Sequence, residues 1–520
     1  MLFQHRPRHE RDVLVTLAAF AIPFLVYLRT LAPTVHAMAL ADRPTVYGLD
    51  SAEFAAGAYT LGIVHAPGYP LYLLVGKGFS YLPFGDVAYR LNLMSAFFAA
   101  LTVAVLYRLV LKLTRHTLVS FCAALFLAFS YYFWTAAIVA EVYTLHAFLM
   151  ALILLTLLNW QESKEAKYLY RLALLYGLSF GNHTSTSLMA PGLLFFLLTC
   201  GYRQILRPRV FFGMALAFVA GLSVYLYLPW RYRAATPFNY AGHYDANGVF
   251  HGIDQTTLDG LWWMLSGRPF KGLMFSHRWS ETVRELKNYA YWLWSNFLAV
   301  GIVPGVLGAA RLFTTRGRFA VSLSLIYLAN LVFFATYRIL DTESMYIPTY
   351  LIWAIWMGIG GQYMLDAITD WENQYQGCID RKARISYNIT WSKALKTIFF
   401  LVSIVTLIIN FHYCDLSDNW AAKENAQAML DSAEPDAIIL GWFLTAPPLE
   451  YLQVAEGQRP DVKVINRVFI GWNDLRRLIK QNIDVRPIYT IEGDPALVEE
   501  YEQVPLETGG YKLEKRTDGQ

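Results

Sequence analysis

The chain has 520 residues, 56% of them hydrophobic and 16% charged, with a mean hydropathy of +0.34. A soluble protein carries about 25% charged residues, so a water-soluble enzyme is excluded. The formal charge of +4 is scattered over loops and forms no nucleic-acid surface.

The N-terminal sequence MLFQHRPRHERDV leads into an apolar run at 13–32 that imitates a signal peptide, with Val35-His36-Ala37 as a cleavage motif. The run is long for such a peptide and is interrupted by Arg29, so it reads as a retained first helix. Apolar segments follow at 91–111, 118–138, 142–158, 172–199, 210–230, 289–310, 319–337, 346–365 and 395–411. A span takes about 20 residues, and cytoplasmic loops concentrate Lys and Arg. One threading puts Arg6, Arg8 and Arg11 inside, with Arg108, Lys112 and Arg115, and then Lys164, Lys167 and Arg171. It also puts Arg203, Arg207 and Arg209, then Arg311, Arg316 and Arg318, and last Arg381, Lys382 and Arg384 inside. The stretch 172–199 must then cross twice, breaking at Gly181-Asn182-His183-Thr184, where irregular backbone is tolerated if protein or water surrounds it. The expectation is an α-helical polytopic membrane protein of about eleven transmembrane helices, N-terminus inside and C-terminus outside.

Beyond residue 411 the character changes. Asn419–Leu430 reads as a helix, and 436–441, 462–470 and 487–491 as strands with a helix at 473–480 between the last two. This alternation predicts a small C-terminal α/β soluble domain, dividing the chain into 1–411 and 412–520. It holds no nucleophile–base pair, which leaves a binding or bracing role.

The threading gathers the unusual polar residues on the outer face. They are Asp50, Glu53, His65 and Lys77 in the first loop, Glu141 and His146, then His183 at the break. Arg231 and Arg233, Arg268 and Lys271 in SGRPFK, and Asp341 and Glu343 in RILDTESMYIP complete the set. Ionisable groups at a membrane face are costly and mark sites. Asp50-Ser-Ala-Glu53 fits a helix-capping signature, and Asp50 equally fits a general base whose pKa burial would raise. His65, in His-Ala-Pro-Gly-Tyr-Pro, is either a hydrogen-bonded turn residue or a substrate contact. Lys77 either snorkels to the interface or binds substrate, and interface anchoring accounts for Arg231 and Arg233. The four cysteines form no CxxC pair and no phosphate-binding glycine loop occurs, so neither a zinc site nor an ATP-driven pump is supported.

The ordered motifs GLDSAEF, YTLGIVHAPGYPLY, GKGF, YRLNLMSAFFAAL, AEVYTLHA, SFGNHTS, LSGRPFK and DTESMYIP resemble the GT-C superfamily of integral-membrane glycosyltransferases. The resemblance covers about residues 13–370 and is to the branch containing the transmembrane protein O-mannosyltransferases; the tail resembles that family's small outer domain. It implies an inverting glycosyltransferase that moves a sugar, mannose or another hexose, from a polyprenyl-phosphate donor to an extracytoplasmic protein, lipid or glycan acceptor. It further implies Asp50 with Glu53 as catalytic acids, Lys77 at the carrier phosphate and Glu141 as the second-loop acid. His183, Asp341 and Glu343 follow by motif similarity without an assigned role.

The chemistry of such a transfer needs one base and cations for the leaving phosphate, here Lys77 with Arg231 or Arg268. A divalent metal at Asp50, Glu53 or Glu141 is not supported by carboxylates alone, and no cofactor beyond the lipid-linked co-substrate is expected. The setting would be a bacterial plasma membrane or the ER membrane, with the site on the extracytoplasmic face. The competing classes are a flippase for lipid-linked sugars, which would need polar residues through both membrane halves, and a non-catalytic scaffold.

Overall fold

A computed structural model describes residues 8–36, 48–378 and 391–516. Arg6, Ala37 of the cleavage motif, and Arg381, Lys382 and Arg384 lie outside the described residues. The helices of the membrane region are, in order, α1 (Arg8–Thr30), α2 (Ser51–Thr60), α3 (Pro70–Ser80), α4 (Val87–Thr114), α5 (Thr117–Ala128), α6 (Tyr131–Ala137), α7 (Tyr143–Ser163) and α8 (Ala166–Phe180). They continue with α9 (Ala190–Ile205), α10 (Pro208–Leu222), α11 (Tyr227–Arg233), α12 (Leu258–Leu265), α13 (Trp279–Asn296), α14 (Ile302–Ala335), α15 (Thr342–Met345), α16 (Ile347–Cys378) and α17 (Trp391–Cys414). A short hairpin, β1 (Gly242–Tyr244) and β2 (Phe250–Gly252), precedes α12.

By length and apolarity eight described helices can cross a bilayer, or nine if α5 and α6, bent by 68°, count as one broken span. α14 adds another crossing. Helical geometry fails at Arg316 (φ −142, ψ 57). Trp353 of α16 meets both halves: its Nε1 donates to the Gly301 carbonyl at 3.3 Å, and its ring lies 6.3 Å from Tyr327. Gly305 backs so closely onto the Trp353 indole that no Cβ would fit there. Gly305 and Tyr327 would be about 33 Å apart in a straight helix, so the chain reverses at Arg316 and α14 is a helical hairpin. The expected segments 289–310 and 319–337 correspond to α13 with the first arm, and to the second arm. α8, 15 residues long, packs on α10 and α7 and is separated from α9 by the expected break at 181–183; counted as a crossing, it brings the described residues to the expected eleven. The protein is a multi-pass membrane protein.

α4 lies at the centre, against α1, α5, α7 and α16. Its apolar side chains are mostly buried because helices cover it all round.

The tail adds α18 (Ala421–Ser432), β3 (Ile438–Gly441), α19 (Ala446–Glu456), β4 (Lys463–Asn466), α20 (Trp472–Asn482), β5 (Ile488–Thr490), α21 (Pro495–Val498), β6 (Tyr501–Pro505) and β7 (Tyr511–Lys515). The sheet order is β4-β3-β5-β7-β6, with β3 parallel to β4 and β5 and the last two pairings antiparallel. The expected helices and three strands are present, the strands shorter than expected and paired in parallel. α19 and the β6–β7 hairpin are additions.

This unit bears on the membrane region through α19, which packs on α2. Tyr451 of α19 accepts from the Ala88 amide at 3.1 Å, and Lys423 reaches Asp86 at 3.1 Å and Glu456 at 2.5 Å. Tyr240 donates to Glu450 of α19, while its own amide donates to the Ile63 carbonyl at 2.7 Å. The segment before β1 therefore straps the α2–α3 loop to the tail.

Candidate active site

α2 begins as the chain turns through Gly48-Leu49-Asp50, with the Ser51 amide donating to the Gly48 carbonyl at 3.3 Å. Its Ala-rich sequence favours helix, and its first eight residues are all buried. The capping expectation for Asp50 is not met: its side chain accepts nothing from the first turn of α2. Oδ1 is buried and has no partner among the described residues, while Oδ2 lies 3.9 Å from His65 Nε2. An unsatisfied buried carboxylate oxygen is costly, and burial, followed by the opposing pull of His65 and the push of Glu53, leaves the Asp50 pKa raised to about 6.

Glu53, one turn on, is wholly buried. One of its oxygens accepts from the His65 amide at 2.6 Å, and both lie 2.9 Å from His65 Nδ1. Burial disfavours the His65 cation, but the charges of Glu53 and then Asp50 outweigh it and raise its pKa to about 9. His65 Nε2 lies 3.1 Å from the Tyr69 hydroxyl. The turn that delivers His65 carries a cis Ala66–Pro67 peptide.

Asp50 and His65 open onto a cavity of about 560 Å³. Tyr69, Tyr143, His183 and Asp341 line its polar end, and the α12–α13 connection, the end of α14 and the α14–α15 connection supply an apolar wall that includes Leu273, Met274, Phe333 and Leu340. Phe443 and Val468 of the tail close one side. Tyr143 donates to Asp341 Oδ2 at 3.1 Å; burial, then the Asp50 charge, pushes the Asp341 carboxyl well above its ordinary range. His183 Nδ1 contacts Ser185 Oγ at 2.6 Å and accepts from the Ser185 amide at 3.2 Å, so the ring is held at the helix break.

Glu141 stands behind the wall. Its Oε1 accepts from the Asp50 amide at 3.3 Å, Oε2 is buried without a partner among the described residues, and burial raises its pKa. It fixes the Asp50 backbone and does not line the cavity. Glu343 also lies outside the lining, partly buried two residues beyond Asp341, with its pKa raised by burial.

The basic residues divide differently. Lys77 Nζ donates to the Tyr59 carbonyl at 2.5 Å and lies over the rings of Tyr59 (4.8 Å) and Tyr81 (5.0 Å). Arg231 donates to the carbonyls of Leu61 (2.6 Å) and Thr60 (3.2 Å). Both gather at the C-terminal end of α2, where free carbonyls attract cations, and neither has a carboxylate partner among the described residues. Burial and then the Arg231 charge lower the Lys77 pKa. Arg268 is exposed, 3.8 Å from Asp259. None of the three lines the cavity; Arg338 does. Arg338 and the tyrosines Tyr69 and Tyr143 are site residues that the sequence did not single out: a basic residue after an apolar run reads as an anchor, and a Tyr in a Pro-Gly-Tyr-Pro turn reads as part of the turn.

The donor atoms of Asp50, Glu53 and His65 all lie within 4.8 Å of one another, a spacing one cation could bridge. A divalent metal would need a neutral His65 and a freed Glu53. The 2.9 Å contacts from both carboxylate oxygens to His65 Nδ1 fit a charged pair better.

The protein O-mannosyl-transferase TMEM260 N-terminal domain family matches residues 50–205. The chain is 27% identical over 451 residues to the protein O-mannosyl-transferase TMEM260 of Mus musculus, covering 82% of this chain and 60% of that one. It is 22% identical over 488 residues to the Dictyostelium discoideum protein of the same name, covering 82% and 55%. The chain thus spans little more than half the length of these relatives. Among solved structures, ArnT from Cupriavidus metallidurans bound to undecaprenyl phosphate superposes with a TM-score of 0.61 at 11% identity, over 96% of this chain and 98% of that one. The Archaeoglobus fulgidus oligosaccharyltransferase in complex with Zn and sulfate gives 0.52 at 12% identity, over 96% and 73%. The solved structures bear out the expected fold, and the two relatives carry the name of the branch that the sequence motifs resemble.

Proposed function

We propose that this chain, which carries the GT-C fold of lipid-linked sugar transferases, is an inverting glycosyltransferase. It would move a hexose from a polyprenyl-phosphate carrier to a hydroxyl of a protein on the extracytoplasmic side. The observation that carries this reading is Asp50: a buried carboxylate with one oxygen unsatisfied, facing a cavity that is polar at one end and apolar along one wall. The names of the curated relatives support a protein acceptor and mannose, and the lipid in the solved ArnT complex supports the donor class.

In the reaction the acceptor oxygen attacks the anomeric carbon as its proton passes to Asp50. The bond from that carbon to the phosphate oxygen breaks, and the carrier leaves as an anionic phosphate. A base with a pKa of about 6 is mostly ionised at neutral pH yet basic enough to accept the proton. Glu53 and His65 form a fixed pair that holds the loop, Glu141 holds the Asp50 amide, and no second carboxylate is needed as a nucleophile. Residues 1–411 serve as the catalytic unit and 412–520 brace it.

Lys77 and Arg231 are the capture site for the donor headgroup, since two adjacent cations without a carboxylate suit an anion. Lys77→Ala should weaken donor binding about ten- to a hundredfold, the equivalent of losing a charged hydrogen bond. Titration of a polyprenyl-phosphate-hexose into the purified variant checks this; unchanged affinity means that Lys77 only snorkels.

The topology has its own test. On a background lacking Cys122, Cys200, Cys378 and Cys414, a cysteine at Ser163 should react only with reagent supplied from the cytoplasmic side. Labelling from outside would overturn the placement of the site.

A further inference from the structure

A second cavity, of about 670 Å³, lies between the strap at 232–240, the β1–β2 hairpin, α19 and β4. Among the described residues it shares no lining side chain with the cavity at Asp50. Neighbouring tail residues nevertheless meet both: Val468 lines the first, and the Phe469 ring lies 4.8 Å from that of Tyr240 in the second. The strap also pairs with Ile63, whose amide donates to the Phe238 carbonyl at 2.9 Å. From Ile63 to His65 is two residues, at most about 7 Å of extended chain.

Three polar side chains in this cavity are each fixed at one end and open at the other. Glu450 and Gln453 stand three residues apart on α19 and so share a face. Glu450 accepts from the Tyr240 hydroxyl through Oε2. Gln453 Nε2 donates to the carbonyls of Arg459 at 2.9 Å and Val462 at 2.8 Å. Asn239 Oδ1 accepts from the Ala241 amide at 2.8 Å. Among the described residues no hydrogen bond reaches Glu450 Oε1, Gln453 Oε1 or Asn239 Nδ2, and all three atoms stay accessible to solvent. Two aromatic pairs supply the walls, Phe238 with Tyr240 at 4.7 Å and Tyr244 with Phe250 at 5.0 Å between ring centroids.

Pre-set polar groups between aromatic walls suit a pyranose, whose faces are apolar C–H and whose edges carry hydroxyls that donate and accept. An isoprenoid chain would leave Glu450, Gln453 and Asn239 without partners. Burial raises the Glu450 pKa to about 8 despite the Tyr240 hydrogen bond, so at neutral pH it acts as a hydrogen-bonding group more than as a charge. Lys463, the one basic residue among the described lining, opposes a cation.

We propose that this cavity is a hexose-binding subsite, separate from the transfer site, that holds a neutral sugar carried by a glycosylated acceptor or by a free saccharide. The acceptor-borne source rests on the transferase reading above; the subsite itself does not. A chain already bearing one sugar would be held here while a further hydroxyl approaches Asp50.

The test is binding to the purified full-length protein in the absence of donor, by ligand-observed NMR titration. The probes are methyl mannoside, methyl glucoside, glucuronate, a threonine-containing peptide, and the same peptide with mannose on the threonine. At least one methyl hexoside should bind in the millimolar range. Tyr244→Ala and Glu450→Gln, checked for folding by thermal unfolding, should each weaken it about tenfold. Glu450→Gln keeps an acceptor for Tyr240, so its loss is not a loss of the strap. A glycopeptide that binds more than about tenfold tighter than both the bare peptide and methyl mannoside identifies the acceptor as the source. Equal affinity for glycopeptide and methyl mannoside identifies a free saccharide. Methyl hexosides that fail to bind, or that bind wild type and both variants alike, overturn the subsite. Tighter binding of glucuronate than of the methyl hexosides overturns its assignment to a neutral sugar. Either failure leaves transfer from a polyprenyl-phosphate donor standing, whereas a protein that binds methyl hexosides here but transfers nothing refutes the transferase reading alone.

Discussion

Asp50→Asn should reduce sugar transfer by about 10²–10⁴-fold, the usual contribution of a general base, while folding and donor binding persist. Asn matches Asp in size and keeps a hydrogen-bonding oxygen but takes no proton at neutral pH. The Asp50 side chain makes no capping bond to α2, so the substitution removes no cap. The proposed capture site lies at the far end of α2, so donor affinity should stay within a few-fold of wild type. The wild-type rate should rise with pH through about 6 as Asp50 ionises, and that limb should vanish in the variant. Near-normal transfer by Asp50→Asn would remove the base from the mechanism.

Glu53→Gln should have its largest effect on stability, with a loss of transfer smaller than that of Asp50→Asn. Glu53 is wholly buried and is the main counter-charge to His65, whose pKa it helps raise to about 9 against an unfolded value near 6.5. A folded pKa above the unfolded one gives stability that is complete below about 6.5 and lost as pH rises through about 9. Removing one partner of a buried pair costs about 3–5 kcal/mol, an upper bound here because His65 can shed its proton. Wild type and variant should therefore differ most near pH 6 and converge above pH 9. Thermal unfolding of the detergent-solubilised proteins across that range checks it; a pH-independent gap would mean that the pair is not charged.

The legible and illegible parts of this protein divide along physical lines. Membrane spans announce themselves because an apolar run of sufficient length has few alternatives, and even the helix break around His183 followed from charge placement. The reversal at Arg316 was readable for the same reason, since Arg311, Arg316 and Arg318 interrupt the hydrophobic stretch. Asp50 stood out because a carboxylate beside an apolar face demands an explanation. What the sequence concealed was partnership. Glu53 and His65 meet only because α2 and the following turn fold against each other. Lys77 was legible as a basic residue near the site, but the sequence could not place it at the end of α2 remote from Asp50. Arg338 sits after an apolar run and reads as an anchor until the cavity is seen. In the tail, the Pro447-Pro448 pair hid α19, although proline in a first turn is compatible with a helix. The β6–β7 hairpin was hidden by its polar, only partly buried strands.

The most direct test of the account is the stereochemistry of the product. Purified protein is given a polyprenyl-phosphate-hexose of known anomeric configuration and a serine- or threonine-containing peptide, and the new linkage is read by NMR. A single displacement assisted by Asp50 predicts a glycosyl–hydroxyl bond of opposite configuration to the donor. Retention of configuration would require a covalent intermediate that this site is not proposed to form, and would contradict the account.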